Sequence, residues 1–95
     1  MSVESDNPPR AVIADDERLM REQMRARLAE TWPELQIVAE AKNGLEAVEA
    51  VREQRPDIVF LDIRMPGLTG AEAARQIAQL ELPEAALRPE IVFVP

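Results

Sequence analysis

The chain has no cysteine, no histidine, a single lysine, and no apolar run long enough to span a bilayer. Without cysteine there is no disulfide framework. Without histidine there is no imidazole for acid–base work, for metal ligation or for carrying phosphate. No signal-like stretch opens the sequence, so the reading is a soluble protein with a cytoplasmic home. Positive charge is also in short supply. Eighteen acids face eleven bases, a net charge of −7, and that balance opposes both the nucleic-acid backbone and anionic membrane surfaces. Direct binding to nucleic acid or to a membrane is therefore not expected. Ninety-five residues make at most one domain, of a size where a single core is adequate but not generous.

What the chain does have is acid in telling places. The apolar run Ala11-Val12-Ile13-Ala14 ends in Asp15-Asp16, and a second run, Ile58-Val59-Phe60-Leu61, carries Asp62. If the two runs are neighbouring parallel strands, all three carboxylates reach the carboxyl edge of one sheet, where open α/β folds bind ligands. Three like charges there call for a partner. A hard divalent cation, Mg2+ or Mn2+, suits carboxylate, carbonyl and water oxygens. Asp15, Asp16 and Glu17 also have a blander explanation, because acids before a helix are favoured by capping and by the helix dipole. Asp62 has no such explanation. An acid within a run of Ile, Val, Phe and Leu is costly unless it lies at an exposed strand end or is paired.

Along the chain, residues 1–9 read as an irregular leader ending in two prolines. A strand over 11–15 is followed by helical spacing of Leu19, Met20, Met24 and Leu28, stopped at Trp32-Pro33. Met20 and Met24 are expected to pack in the core, and Trp32 in the core or at the helix end. A strand over 35–41 leads to Asn43, which with Glu46 forms a capping-box-like pair. The helix it starts should bury Leu45, Val48 and Val51 and end at Pro56. The strand 58–63 is nearly all apolar, as a parallel strand covered on both faces should be. Met65-Pro66-Gly67 is a turn signal. Thr69-Gly70-Ala71-Glu72 repeats the capping-box pattern and opens a helix through Ile77 and Leu80. Residues 81–90 read as connection before a strand over 91–94. The sum, βαβαβαβ, predicts a parallel sheet with right-handed crossovers.

Four pieces stand at a familiar spacing: Asp15-Asp16-Glu17, Lys42-Asn43-Gly44-Leu45-Glu46-Ala47, Pro56 through Asp62, and Arg64-Met65-Pro66-Gly67-Leu68-Thr69-Gly70. From Ala11 to Val94 the chain resembles a response-regulator receiver domain of two-component signalling. The resemblance implies a flavodoxin-like, doubly wound α/β sheet in strand order 2-1-3-4. It also implies Asp62 as phosphoryl acceptor, with Mg2+ or Mn2+ held by Asp15, Asp16, Asp62 and the backbone carbonyl of Arg64. The donor must be another molecule: a sensor histidine kinase, a phosphohistidine protein or a small phosphodonor. The Asp-Asp-Glu opening and the long connection after Leu80 are similar to those of receivers joined to LytT-type DNA-binding domains, which implies transcription regulation as the output of a longer parent.

The resemblance has limits. Receivers usually have five strands and five helices, and residues 10–95 read as a receiver ending after its fourth strand. The family's Ser or Thr aligns with Pro95, and its fifth-strand Lys has no counterpart, Lys42 being at the start of the second helix. Slow or undetectable phosphotransfer, impaired switching, and a homodimer or domain-swapped oligomer using Ile91 to Val94, the first-helix flank, or both are therefore expected. The alternative reading is a phosphate-independent interaction or dimerisation module. A haloacid-dehalogenase-type phosphatase would place a second Asp two residues after the nucleophile, where this chain has Arg64. No enzymatic turnover is expected.

Overall fold

The computed structural model describes residues 8–80 and 88–94. The elements are β1 (Arg10–Ala14), α1 (Arg18–Thr31), β2 (Gln36–Ala41), α2 (Gly44–Gln54), β3 (Ile58–Asp62), α3 (Gly70–Ala78) and β4 (Glu90–Val94). All three strand pairings are parallel, and the order is β2-β1-β3-β4. The expected flavodoxin-like order is thus the one observed. Most of the leader and of the connection after Leu80 lies outside the described residues, as does Pro95. No helix among the described residues is long and apolar enough to cross a membrane.

Side-chain alternation along the strands sorts the molecule into two unequal faces. Val12, Ala14, Val59 and Leu61 share a core with Ala47, Val48 and Val51 of α2 and with Ala73 and Ile77 of α3. That face carries the hydrophobic stabilisation. The other face is covered by α1, which contains no buried residue. Met20 is consequently exposed and Met24 only half-buried, contrary to the expectation that both pack in the core. Their helix is tied to β2 by ion pairs of Arg21 and Arg25 with Glu40. Trp32 is exposed too, and its contribution is at the helix end: its backbone N–H donates to the Leu28 carbonyl at 2.7 Å.

Leu45 is the other correction. It is 59% exposed, and the inward positions of α2 belong to Gly44, Ala47, Val48 and Val51. Gly44 explains the shift, because a Cβ there would come within 2.3 Å of the Leu68 carbonyl oxygen. The helix start is pressed against the loop after β3, which turns the next residue outward. The Asn43 cap forms as read, its Oδ1 accepting the Glu46 N–H at 2.8 Å, but Glu46 reaches back to the Lys42 N–H at 3.0 Å, one residue earlier than a capping box requires. At Thr69 and Glu72 the box is complete.

The edge of the sheet opposite the acids is tied down by Arg10. Its guanidinium donates to the carbonyl oxygens of Gln54 and Arg55 at 2.7 and 3.3 Å and to the Gln54 side-chain oxygen at 3.2 Å. These bonds satisfy carbonyls at the end of α2, where a cation is also favoured by the helix dipole. Arg55 there adopts a left-handed conformation, φ 48°. The Arg10 backbone N–H meanwhile donates to Asp57 Oδ2 at 2.8 Å, joining the starts of β1 and β3. Arg10→Met should therefore lower the unfolding free energy by about 1–2 kcal/mol, measured by urea denaturation. No change would mean that water replaces the guanidinium at the helix end.

Candidate functional site

β1 and β3 pair in parallel with Ala14 opposite Leu61, so the residues that follow, Asp15 and Asp62, emerge side by side. Asp15 prolongs the ladder on the other flank, its N–H donating to the Ala41 carbonyl at 3.0 Å. One carboxylate oxygen each from Asp15, Asp16 and Asp62 can be chosen so that all lie within 4.8 Å of one another. The structure therefore brings together the three acids singled out in the sequence. They are graded in exposure: Asp15 is buried at 6%, Asp62 is half-buried and Asp16 is exposed.

Two of the acids shape their own backbone. Asp15 Oδ1 accepts the Glu17 N–H at 2.9 Å, and Asp62 Oδ1 accepts the Arg64 N–H at 3.1 Å. Both are Asx-type turns, and they swing the chain out of the strand into the loop. Helix capping, the blander account of the Asp15-Asp16-Glu17 run, does not hold for Glu17: it occupies the N-cap of α1 and makes no side-chain capping bond. Burial pushes the Asp15 carboxyl above the usual carboxylate range, the Glu17 N–H holds it down, and the charges on Asp62 and Asp16 push it up again. Among the described residues no buried side-chain nitrogen or oxygen lacks a hydrogen-bond partner. The discord at Asp15 is one of charge, not of hydrogen bonding.

The loop after β3 closes the site. Met65 is buried and anchors it, while Gly67 takes φ +73°, a left-handed conformation that suits glycine. Arg64 lines a hollow of about 430 Å³ with Asp15, Asp16, Glu17, Met20 and Asp62. A larger hollow of about 720 Å³ next to it shares only Asp16 of the three acids, and Lys42, Leu45 and Leu68 are among its other walls. All three acids line the smaller one. Its donors are hard oxygens with neither nitrogen nor sulfur among the three acids, a set that fits Mg2+ or Mn2+.

Two contributors were not legible as such in the sequence. Gly70, read as part of a capping box and as the end of the Arg64–Gly70 piece of the resemblance but given no role at the site, lies so close to the end of β3 that a Cβ there would come within 2.3 Å of the Asp62 carbonyl oxygen. Arg21, read as one charge on a charged helix, donates to the Asp15 carbonyl oxygen at 2.8 Å. The MPG turn followed by a glycine could have hinted at the first. A separation of six residues across a strand–helix junction carries no periodic signal for the second.

Comparison with known proteins bears on the same residues. The family model of the response regulator receiver domain matches residues 11–94. An uncharacterized response regulatory protein of Vibrio cholerae is 54% identical over 69 residues, covering 73% of this chain and 26% of that protein. The transcriptional regulatory protein BtsR of Salmonella typhimurium is 42% identical over 85 residues, 90% of this chain and 33% of its own length. A solved two-component response regulator of the LuxR family, from Aurantimonas sp., aligns with a TM-score of 0.76 at 38% identity, over 92% of this chain and 58% of that one. The chain thus spans about a quarter to a third of the length of these curated relatives. The match runs from the first strand to the last and takes in both acid-bearing strand ends, and on that ground the chain belongs to the response regulator receiver domain family of two-component signalling.

Proposed function

We propose that this chain is a phosphoryl acceptor in which Asp62 receives the group and Asp15, Asp16, Asp62 and the Arg64 carbonyl hold Mg2+ or Mn2+. The observation that carries the reading is the convergence of three carboxylates within 4.8 Å at the carboxyl edge of β1 and β3. Asp62 is the natural acceptor of the three, being half-buried at the end of the central strand β3 and fixed by its own turn. A bound divalent cation supplies charge neutralisation on the transferring oxygens. The remaining work is positioning. An Asp62 carboxylate oxygen forms a bond to phosphorus as the bond from phosphorus to the donor breaks, the electron pair leaving with the donor's imidazole nitrogen or acyl oxygen. With no histidine in the chain, the donor is a sensor histidine kinase, a phosphohistidine protein or a small acyl phosphate. The setting is cytoplasmic, and the output, carried by a longer protein, is transcription regulation, as the name of the BtsR relative suggests.

The alternative reading, a phosphate-independent interaction module, is favoured by Val92 and Phe93, both exposed on β4, which pairs only with β3 among the described residues. Intact-mass measurement separates the two. Incubation with acetyl phosphate and Mg2+ should add one phosphoryl group to the parent chain, slowly, and none to Asp62→Asn. A chain that stays unmodified even when extended by a fifth strand and helix carrying the family's Lys, or an adduct surviving the substitution, points to the interaction module instead.

Cation binding has its own test. Calorimetry with Mg2+ should give weak binding to the parent chain and about tenfold or greater loss in Asp16→Asn, since one of the three negative charges facing the cation goes. Equal heats from the two proteins would sink the proposed ligand set.

The raised pKa of Asp15 sets a stability prediction. A carboxyl whose folded pKa exceeds its unfolded value of 3.8 binds its proton more tightly when folded. Its ionisation therefore opposes folding, and stability falls as the pH rises through the folded pKa. Asp15→Asn keeps an oxygen to accept the Glu17 N–H and removes the charge. It should raise the melting temperature at pH 7 without cation, and the gain should vanish near pH 3. A lower melting temperature at pH 7 would show that the repulsion is already compensated.

A further inference from the structure

α1 has no buried residue, and beside its half-buried Met24 and Leu28 it is tied to the sheet by side-chain hydrogen bonds. Arg21 supplies two of them. Its Nε donates to Glu40 Oε1 at 3.1 Å, and its Nη1 donates to the Asp15 carbonyl oxygen at 2.8 Å. Arg25 pairs with the same carboxylate, Nε and Nη2 donating to Glu40 Oε2 at 2.9 and 2.7 Å, but has no bond to Asp15. The two differ in environment: the Arg21 side chain is 13% exposed and that of Arg25 is 48% exposed. Glu40 lies on β2 immediately before Ala41, whose carbonyl takes the Asp15 N–H at 3.0 Å. Both sides of the Asp15 backbone are therefore referred to the same strand, one directly and one through Arg21.

The carbonyl that Arg21 holds belongs to the peptide joining Asp15 to Asp16. A peptide unit is planar, so fixing its oxygen fixes the plane from which both acids depart. We propose that Arg21 is a positioning residue for the cation site: seated on Glu40, it sets the Asp15–Asp16 peptide and with it the relative placement of the two carboxylates. The inference rests on the reading above that these acids hold a divalent cation. It makes a prediction whose sign is informative. As a charge alone, a guanidinium near the site repels an incoming cation, and removing it should tighten binding. As a positioning group, removing it should weaken binding, as loss of groups that orient metal ligands does.

Arg21→Met and Arg25→Met lose the same charge and the same carboxylate partner, and only the first loses the Asp15 contact. In the 95-residue chain, with folding checked by circular dichroism, Arg21→Met should weaken Mg2+ about tenfold by calorimetry, whereas Arg25→Met should stay within about twofold of the parent, as expected of an exposed ion pair. Arg21→Lys, which keeps the charge but cannot span both acceptors, should fall between them, and it carries the comparison if the methionine variant does not fold. Amide hydrogen exchange without cation gives a second readout: the Glu17 N–H, bonded to Asp15 Oδ1, should exchange faster in Arg21→Met than in Arg25→Met. Binding in Arg21→Met as tight as in the parent or tighter, or equal Glu17 exchange in the two methionine variants, would overturn the proposal. A parent chain that binds no Mg2+ would refute the cation reading itself, and the exchange comparison would still decide whether Arg21 positions Asp15.

Discussion

Repulsion among three carboxylates is the constraint around which the carboxyl edge of this sheet is built. It arises from topology before it arises from any local motif: parallel pairing of β1 with β3 brings Asp15 and Asp62 out side by side, and Asp16 follows in the next residue. Burial then sharpens it, because Asp15 is almost fully enclosed between β2 and β3 and cannot relieve the charge by turning to water. The surrounding backbone accommodates the cluster without cancelling it. Asx turns at Asp15 and Asp62 engage one oxygen of each acid with a single backbone N–H, and among the described residues no cationic side chain pairs with either.

The parts of this design that depend on periodicity could be read from the chain alone. Alternating and continuous apolar runs placed β1 and β3, the Thr69 and Glu72 pair placed the start of α3, and the acids at the strand ends followed from those placements. What periodicity does not carry is the depth at which a helix sits. Leu45 has the right spacing to join Val48 and Val51, yet Gly44 presses the start of α2 against the Leu68 carbonyl and Leu45 points outward. Leu19, Met20, Met24 and Leu28 have helical spacing too, but no second layer among the described residues covers their flank, and none of them is buried. Long-range polar contacts were illegible for a different reason. The bonds from Arg21 to Asp15 and from Arg10 to the end of α2 join residues whose separation reflects the fold and no local period.

The two faces of the sheet consequently do different work. The α2 and α3 face holds the contiguous apolar core, so its residues set how stable the domain is. The α1 face buries Ala11 and Ile13 of β1 under a helix with no buried residue of its own, and Arg21, Arg25 and Glu40 add ionic contacts there. The neighbouring arginines hold the Glu40 carboxyl below its usual range, the Arg25 hydrogen bond contributing most. That depression means the clamp is intact above the unfolded pKa of 4.5 and loosens as pH falls through the lower folded value. Over the neutral range the ionic contacts between α1 and Glu40 are thus intact.

The distribution of positive charge makes the acidic corner selective by omission. Among the described residues the ion pairs fall on Glu22 and Glu40, and none falls on Asp15, Asp16 or Asp62. Arg10 is committed to the opposite edge, where it serves the end of α2 and Asp57. Arg21 donates to the Asp15 carbonyl and to Glu40, so its charge orders the backbone of the corner without pairing its carboxylates. A guanidinium placed on Asp15 or Asp62 instead would satisfy the acid permanently and occupy the oxygens that a cation or a phosphoryl group needs. Keeping the arginines one bond away leaves the repulsion in place, so the corner favours uptake of positive charge, by a proton on Asp15 or, in the proposed reading, by a divalent cation that three oxygens share.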